Sequence, residues 1–491
     1  MNLIINSIIR NRNALSLISL GCFSSIVGFL YILEYFDLLI LILFLPLLYL
    51  IYQNPKFAIW LIILAIYLIP YLNALGILPR ASKWIVELAI FVLIIKLVLR
   101  ISFEKKSGIF PLGLLFMIAI IFLFVFSVTI NKTNLITALL GFRRHFKYLV
   151  LFYLLINFDL DKKFYKKVFL ILFVISIFQI PVTILQYLTW DPSQALAEFD
   201  VSGGTFGWGE TTGIMGLFLG GVIYCLIGYQ LYYGFNFKLL FILMLLFIPI
   251  FLSQSLASYV LIPIGLILTL FKELKNNAFK VLGFGAITIL LIFMIIFFSG
   301  KYFDYGVVKN FDIRKIMKSH TGTDYFGRPT DVGKIAALIY STKLIQENFA
   351  TMTFGLGLGV TSQSYFSGYE GRLSQEFSSE GGYEMKPQLA RIVTEMGILG
   401  VILYVVFFVY IYHINSVLYR NIKDKYWRSI SIGFRGIIIL YAMAFFYRSV
   451  LDAEPTGFIF WFISAAVYTL VKRSNFSLKM KRINFYRRIL N

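Results

Sequence analysis

Gln388-Leu-Ala-Arg-Ile-Val-Thr-Glu-Met-Gly-Ile-Leu-Gly400 opens an apolar run that continues to Ile414, long enough to cross a bilayer. It follows the one long polar stretch of the chain, which starts near His320, and it takes Arg391 and Glu395 with it into the apolar run. A segment of this kind makes sense only as a helix re-entering a membrane with its charges turned inward. The rest of the chain agrees. Its 491 residues are 59% hydrophobic and 14% charged, with a mean hydropathy of +0.82, which is the composition of a polytopic membrane protein rather than a soluble domain.

Windows able to span a bilayer recur about fourteen times. They fall at 13–33, 38–53, 57–73, 84–100, 109–130, 146–158, 167–189, 208–233, 237–252, 256–271, 278–299, 388–414, 429–448 and 456–472. The expected fold is therefore an all-α membrane bundle. A first part, 1–299, holds about eleven spans; 300–387 is a large extracytoplasmic loop; 388–472 completes the bundle; and 473–491 is a basic cytoplasmic tail.

The formal net charge of +21 would suggest nucleic acid in a soluble protein. Here the Lys and Arg residues gather on alternate loops, among them Lys56, Arg100, Lys162/Lys163, Lys272/Lys275 and Arg420/Lys423, while the intervening loops are acidic or sparsely charged. That alternation predicts both termini inside and the long loop outside, and it removes the case for a nucleic-acid partner. The tail is expected to touch anionic lipid as well. One stretch breaks the rule. Lys132, Arg143, Arg144, His145 and Lys147 stand between the fifth and sixth spans as a basic outer loop, which points to a bound anion or to arginines snorkelling from a helix end. Cys22 and Cys225 sit in apolar runs and predict neither a disulfide framework nor a metal site. The run after Arg10 and Arg12 lacks an Ala-x-Ala site and reads as a retained helix.

The segment 300–387 is too long for a plain connection. After Phe326-Gly-Arg-Pro-Thr330, the residues Val332, Ile335, Ala336, Leu338 and Ile339 recur at helical spacing up to about Asn348, predicting an amphipathic helix. Gly355-Leu-Gly-Leu-Gly359 has no Lys-Ser/Thr after it and is no nucleotide loop. Three glycines on alternate residues instead let the backbone turn and approach a ligand or a helix closely. Asp159-Leu-Asp161, among lysines, reads as a solvated loop. Glu34-Tyr-Phe-Asp37 is a weak carboxylate pair, so no metal site is expected. Arg391 and Glu395 share a helix face and can pair, and Arg448 is spaced to meet Asp452. Arg435 lies within a span; Glu87 and Lys96 read as groups at helix ends.

Gly327-Arg328, a helix, Glu347-Asn348, the Gly-Leu-Gly-Leu-Gly run and a re-entering helix with Glu395-Met-Gly-Ile-Leu-Gly400 together resemble the O-antigen ligase and O-antigen polymerase family. Gly203-Gly-Thr-Phe-Gly207 and Arg143-Arg144 look like further landmarks, and the likeness covers residues 200–400. Lys386-Pro387 stands where ligases carry a His-Asn pair, and Ser253-Gln-Ser-Leu-Ala257 lacks their arginine, which favours the polymerase branch. The resemblance implies a metal- and cofactor-independent glycosyltransferase of the bacterial inner membrane that uses undecaprenyl-diphosphate-linked oligosaccharide on the outer face. It also implies a flippase and a chain-length regulator as pathway partners. A ligase, or a flippase for the same lipid-linked sugars, is the alternative.

On that reading Arg328, with Arg143 and Arg144, clamps the diphosphate by bidentate charge-assisted bonds. The base is Glu384, Glu380 or Lys386. Glu395 belongs to the catalytic set, and His145, Arg391, Gly355, Gly357 and Gly359 contact substrate.

Overall fold

The structure, a computed structural model, describes residues 46–104, 112–158, 160–189, 201–207, 211–234, 236–253, 255–271, 334–362, 369–378 and 387–473, together with Glu273, Ala278 and Gly283. Each regular element among these residues is a helix. In chain order they are α1 (Pro55–Tyr67), α2 (Ile69–Ala74), α3 (Ile85–Glu104), α4 (Leu112–Thr129), α5 (Leu135–Asn157), α6 (Lys162–Leu188), α7 (Thr212–Tyr233), α8 (Phe237–Leu245), α9 (Phe247–Ser253) and α10 (Leu256–Phe271). There follow α11 (Lys334–Ile345), α12 (Phe349–Phe354), α13 (Arg372–Ser378), α14 (Gln388–Asn421), α15 (Lys425–Ala444) and α16 (Glu454–Arg473). Among the described residues, five stretches are long and apolar enough to cross a membrane: Pro55–Ala74, Lys162–Leu188, Thr212–Tyr233, Gln388–Asn421 and Glu454–Lys472. The windows at 13–33 and 278–299 fall largely or wholly outside the described residues, as do Arg328, Glu380, Glu384, Lys386 and the Glu34/Asp37 pair.

The described chain falls into two units, one made of 46–62 with 85–104 and the other of 63–84 with everything from 112 on. In the first, the Lys96 ammonium donates to the carbonyls of Tyr52 and Gln53, so its charge closes the end of the neighbouring helix.

The second unit carries the site. Its helices are turned inside out relative to a soluble bundle. On α6 the polar residues Ser176, Gln179, Thr183 and Gln186 form a buried stripe, while Leu170, Val174, Phe178 and Leu185 are each more than half exposed. Polar groups inside and apolar side chains outside is the distribution a hydrocarbon solvent favours, because unsatisfied polar atoms cannot face lipid. The buried glutamines hold a short irregular segment. Gln186 accepts from Gly204 N–H at 2.8 Å and donates to the Gly204 and Gly207 carbonyls, and Gln179 accepts from Thr205 N–H at 2.8 Å. Gly203-Gly-Thr-Phe-Gly207 thus satisfies its backbone within the bundle.

Helices α7 and α15 pack closely for a compositional reason. A Cβ on Gly228 would sit 2.5 Å from the Ser429 carbonyl oxygen, and one on Gly433 2.5 Å from Cys225 Cα. Small residues on both helices let the backbones meet, which is how helices associate without a hydrophobic driving force. Cys225 is a packing residue here.

Two sequence expectations need correction. The basic outer loop is not a loop: Arg143, Arg144, His145 and Lys147 lie inside α5, which starts at Leu135 with the Asn134 side chain capping Ile136 N–H at 2.9 Å. Their charges have partners within the fold, so they do not end the helix. The amphipathic helix also turns the other way. Ala337, Ser341 and Ile345 are buried on α11, against α14 at Ala390, whereas Ile335 and Ile339 are exposed. Small residues win the contact because the two helices approach closely there.

Candidate functional site

The site is built where α5, α14 and the Gly355–Thr361 turn converge. Gly397 sits inside α14 with φ 62° and ψ −159°, which breaks the helix two residues after Glu395. The Thr394 carbonyl, just before the break, accepts from Leu356 N–H at 2.7 Å. The glycine run is therefore docked on the kink. A Cβ on Gly355 would lie 2.4 Å from the Glu395 carbonyl carbon, and one on Gly359 would lie 2.0 Å from the Thr137 carbonyl oxygen on α5. Between them Gly357 meets Thr133 and Asn131, and the Asn131 amide donates to the Gly355 carbonyl at 3.1 Å. The alternate glycines act as a strap from α14 to α5, with φ of 79°, 110° and 84° that side chains rarely adopt. In the structure all three meet protein.

The strap brings together two residues far apart in sequence. His145 Nε2 lies 2.9 Å from Glu395 Oε2, and His145 Nδ1 lies 3.1 Å from the Tyr404 hydroxyl. Glu395 Oε1 accepts from the Thr361 hydroxyl at 2.5 Å and from Thr361 N–H at 3.4 Å. With the carboxylate ionised, the imidazole proton must be on Nε2. Nδ1 of a neutral ring then accepts from Tyr404, and each polar atom has a complement. Both side chains of the pair are fully buried, and the positive charges of Arg144 and Arg391 lie within electrostatic reach of the carboxylate.

Arg391 does not pair with Glu395, although the spacing allows it. Its Nη2 donates to the Asp452 carboxylate and, at 2.7 Å, to the Ser449 hydroxyl. The turn between α15 and α16 supplies those acceptors. Gln388 fixes the same turn, its Oε1 accepting from Val450 N–H at 2.9 Å and Leu451 N–H at 3.0 Å. Asp452, expected to meet Arg448, is thus engaged by Arg391 instead, and the Arg448 guanidinium packs over Gly213 at the start of α7. Close by in sequence, Lys147 pairs with Glu454 at 3.1 Å. Arg143 stacks on the Trp84 ring, 4.4 Å from its centroid.

Of the residues named from the sequence, His145, Glu395, Arg144, Arg391 and the three glycines are brought to one region. Thr361, Tyr404, Gln388 and Ser449 were not singled out as partners, and Asp452 was matched to Arg448 rather than to Arg391. Gln388 and Ser449 are polar residues at the ends of apolar runs, whereas Tyr404 lies within one. Elsewhere in the unit a third buried ion pair joins Arg435 to Glu273 at 2.9 Å, with Tyr419 donating to Glu273 at 2.9 Å and Arg428 over the Tyr232 and Tyr419 rings. Among the described residues no three His, Cys, Asp or Glu side chains cluster closely enough to hold a metal ion. Asp161 of the acidic triplet caps α6, accepting from Phe164 N–H at 2.8 Å.

No protein-family model matches this sequence and no curated protein matches it, so its function is argued from the buried His145–Glu395 and Arg391–Asp452 pairs themselves.

Proposed function

We propose that the chain is an integral-membrane glycosyltransferase of the O-antigen polymerase kind. It moves a glycan from undecaprenyl diphosphate to a sugar hydroxyl of a second lipid-linked repeat unit, on the extracytoplasmic face of the bacterial inner membrane. The observation that carries this reading is the charge gathered inside α5 and α14 around the buried Glu395, which has His145, Arg144 and Arg391 within reach. Ionisable groups are kept inside a membrane bundle at a cost of a few kcal/mol each, and they mark functional paths more often than packing.

Transfer from a diphosphate develops negative charge on the leaving group, and fixed cations in a water-poor site stabilise that charge strongly. Arg144 and Arg143 on α5, with Arg328, are the cations assigned to it. Both oxygens of Glu395 are occupied by His145 and Thr361, so this carboxylate acts by positioning: it fixes the imidazole and balances the neighbouring guanidiniums. The strap of glycines makes the two helices that carry these groups one rigid frame. The exposed apolar faces of α4, α6 and α14 suit prenyl tails and bilayer lipid.

The cellular test is the surface glycan of a deletion strain. Loss of the chain should leave single repeat units where the parent strain makes a ladder. An unchanged ladder would overturn the reading, and intact repeat units accumulating on the inner leaflet would favour a flippase.

A further inference from the structure

We infer that Asp452 is the general base of the proposed transfer, taking the proton of the acceptor sugar hydroxyl; the inference rests on the glycosyltransferase reading. Among the described residues of the second unit, three carboxylates belong to buried ion pairs. Glu395 spends both oxygens on His145 and Thr361, and Glu273 spends both on Arg435 and Tyr419. Asp452 differs. Its Oδ2 is held by Arg391, its side chain is 4% exposed, and its Oδ1 is buried without a partner.

Two buried donors beside it are also without partners. Arg391 Nε makes no bond, and neither does Gln388 Nε2, which the bonds from Val450 and Leu451 to the same amide hold against the turn that carries Asp452. Gln388 and Arg391 are three residues apart on α14 and so lie on one face. Buried polar atoms in native proteins are nearly always satisfied. One open acceptor next to two open donors is the complement of a hydroxyl, which gives one hydrogen bond and accepts two. A sugar hydroxyl and a water molecule share that chemistry, and the experiment below separates them.

The step balances without any further reactant. The acceptor O–H proton passes to Asp452 Oδ1. The acceptor oxygen bonds to the anomeric carbon of the donor glycan as the bond from that carbon to the diphosphate oxygen breaks, and the bonding pair leaves with undecaprenyl diphosphate. Arg391 positions the carboxylate by holding its Oδ2.

The test compares the two partners of one ion pair in the purified, liposome-reconstituted protein supplied with undecaprenyl-diphosphate-linked repeat units. Asp452→Asn and Arg391→Met both break the pair and should lower the melting temperature alike. If Asp452 is the base, Asp452→Asn loses about a hundredfold to ten-thousandfold in kcat with KM for the donor little changed, the usual contribution of a positioned base. Arg391→Met, which keeps the carboxylate, should lose far less, about tenfold. Equal losses in the two variants, tracking their melting temperatures, would mean a structural pair around a water and would overturn the inference. Should Asp452→Asn fail to fold, the double variant Arg391→Met/Asp452→Asn removes both charges. Folded and inactive beside an active Arg391→Met supports the base; folded and active overturns it. Absence of glycan transfer by the wild-type protein would instead count against the glycosyltransferase reading.

Discussion

Replacing Glu395 with alanine tests whether the His145–Glu395 pair is the keystone of the α5–α14 junction. The change strips the acceptor from His145 Nε2–H, the Thr361 hydroxyl and Thr361 N–H, and all three stay buried. It also removes the negative charge facing Arg144 and Arg391. Breaking a buried pair from one side typically costs about 3–5 kcal/mol. Unfolding entropy near 2.1 cal/mol/K per residue, over 491 residues, amounts to about 1 kcal/mol per degree. Glu395→Ala should therefore lower the melting temperature in detergent by about 3–5 °C. Glu395→Gln keeps an acceptor for His145 and can donate to the Thr361 hydroxyl, but it lacks the charge and abandons Thr361 N–H. Losing the charged character of such bonds costs about 1–3 kcal/mol, so its shift should be about 1–3 °C. Both should depress glycan transfer more than a stability loss of that size explains. An alanine variant melting with the wild type, or a glutamine variant less stable than the alanine one, would refute this reasoning.

Gly359→Ala should destabilise sharply, because φ is +84° and the new Cβ would strike the Thr137 carbonyl at 2.0 Å. Gly76→Ala has a similar φ of +71° but meets nothing within 4 Å, so it should cost only about 1 kcal/mol; equal effects would refute the strap. Glu273→Ala leaves Arg435 buried and unpaired and should lower the melting temperature about as much as Glu395→Ala. Transfer per folded molecule should survive it, since that pair lies outside the proposed site. Finally, an impermeant thiol reagent applied outside cells should label Gln346→Cys and spare Lys423→Cys; the reverse pattern would invert the proposed topology.

Part of the fold is legible because apolar length reports on single segments. The long apolar helix from Gln388, the glycine run and the buried Arg391 and Glu395 could all be read in the sequence. Pairing could not. Arg391 and Glu395 are one turn apart and look like partners, yet each finds a better one across the bundle, and nothing local in the sequence links Glu395 to His145 or Arg391 to Asp452. The same limit explains the misplaced loop. Arg143, Arg144 and Lys147 look too charged for a membrane helix until Trp84, Glu395 and Glu454 are known to lie near them. The glycines illustrate the opposite case: their spacing foretold close approach, and the structure supplies the two helices approached.

The most direct test of the central claim is release of undecaprenyl diphosphate, measured together with glycan length, from lipid-linked repeat units in liposomes holding the purified protein. The account predicts one undecaprenyl diphosphate released for each repeat unit added by the wild type. It predicts release near background from Asp452→Asn and strongly reduced release from Glu395→Ala. Lipid-linked sugars that cross the bilayer with their diphosphate intact, or release that is indifferent to both substitutions, would contradict it.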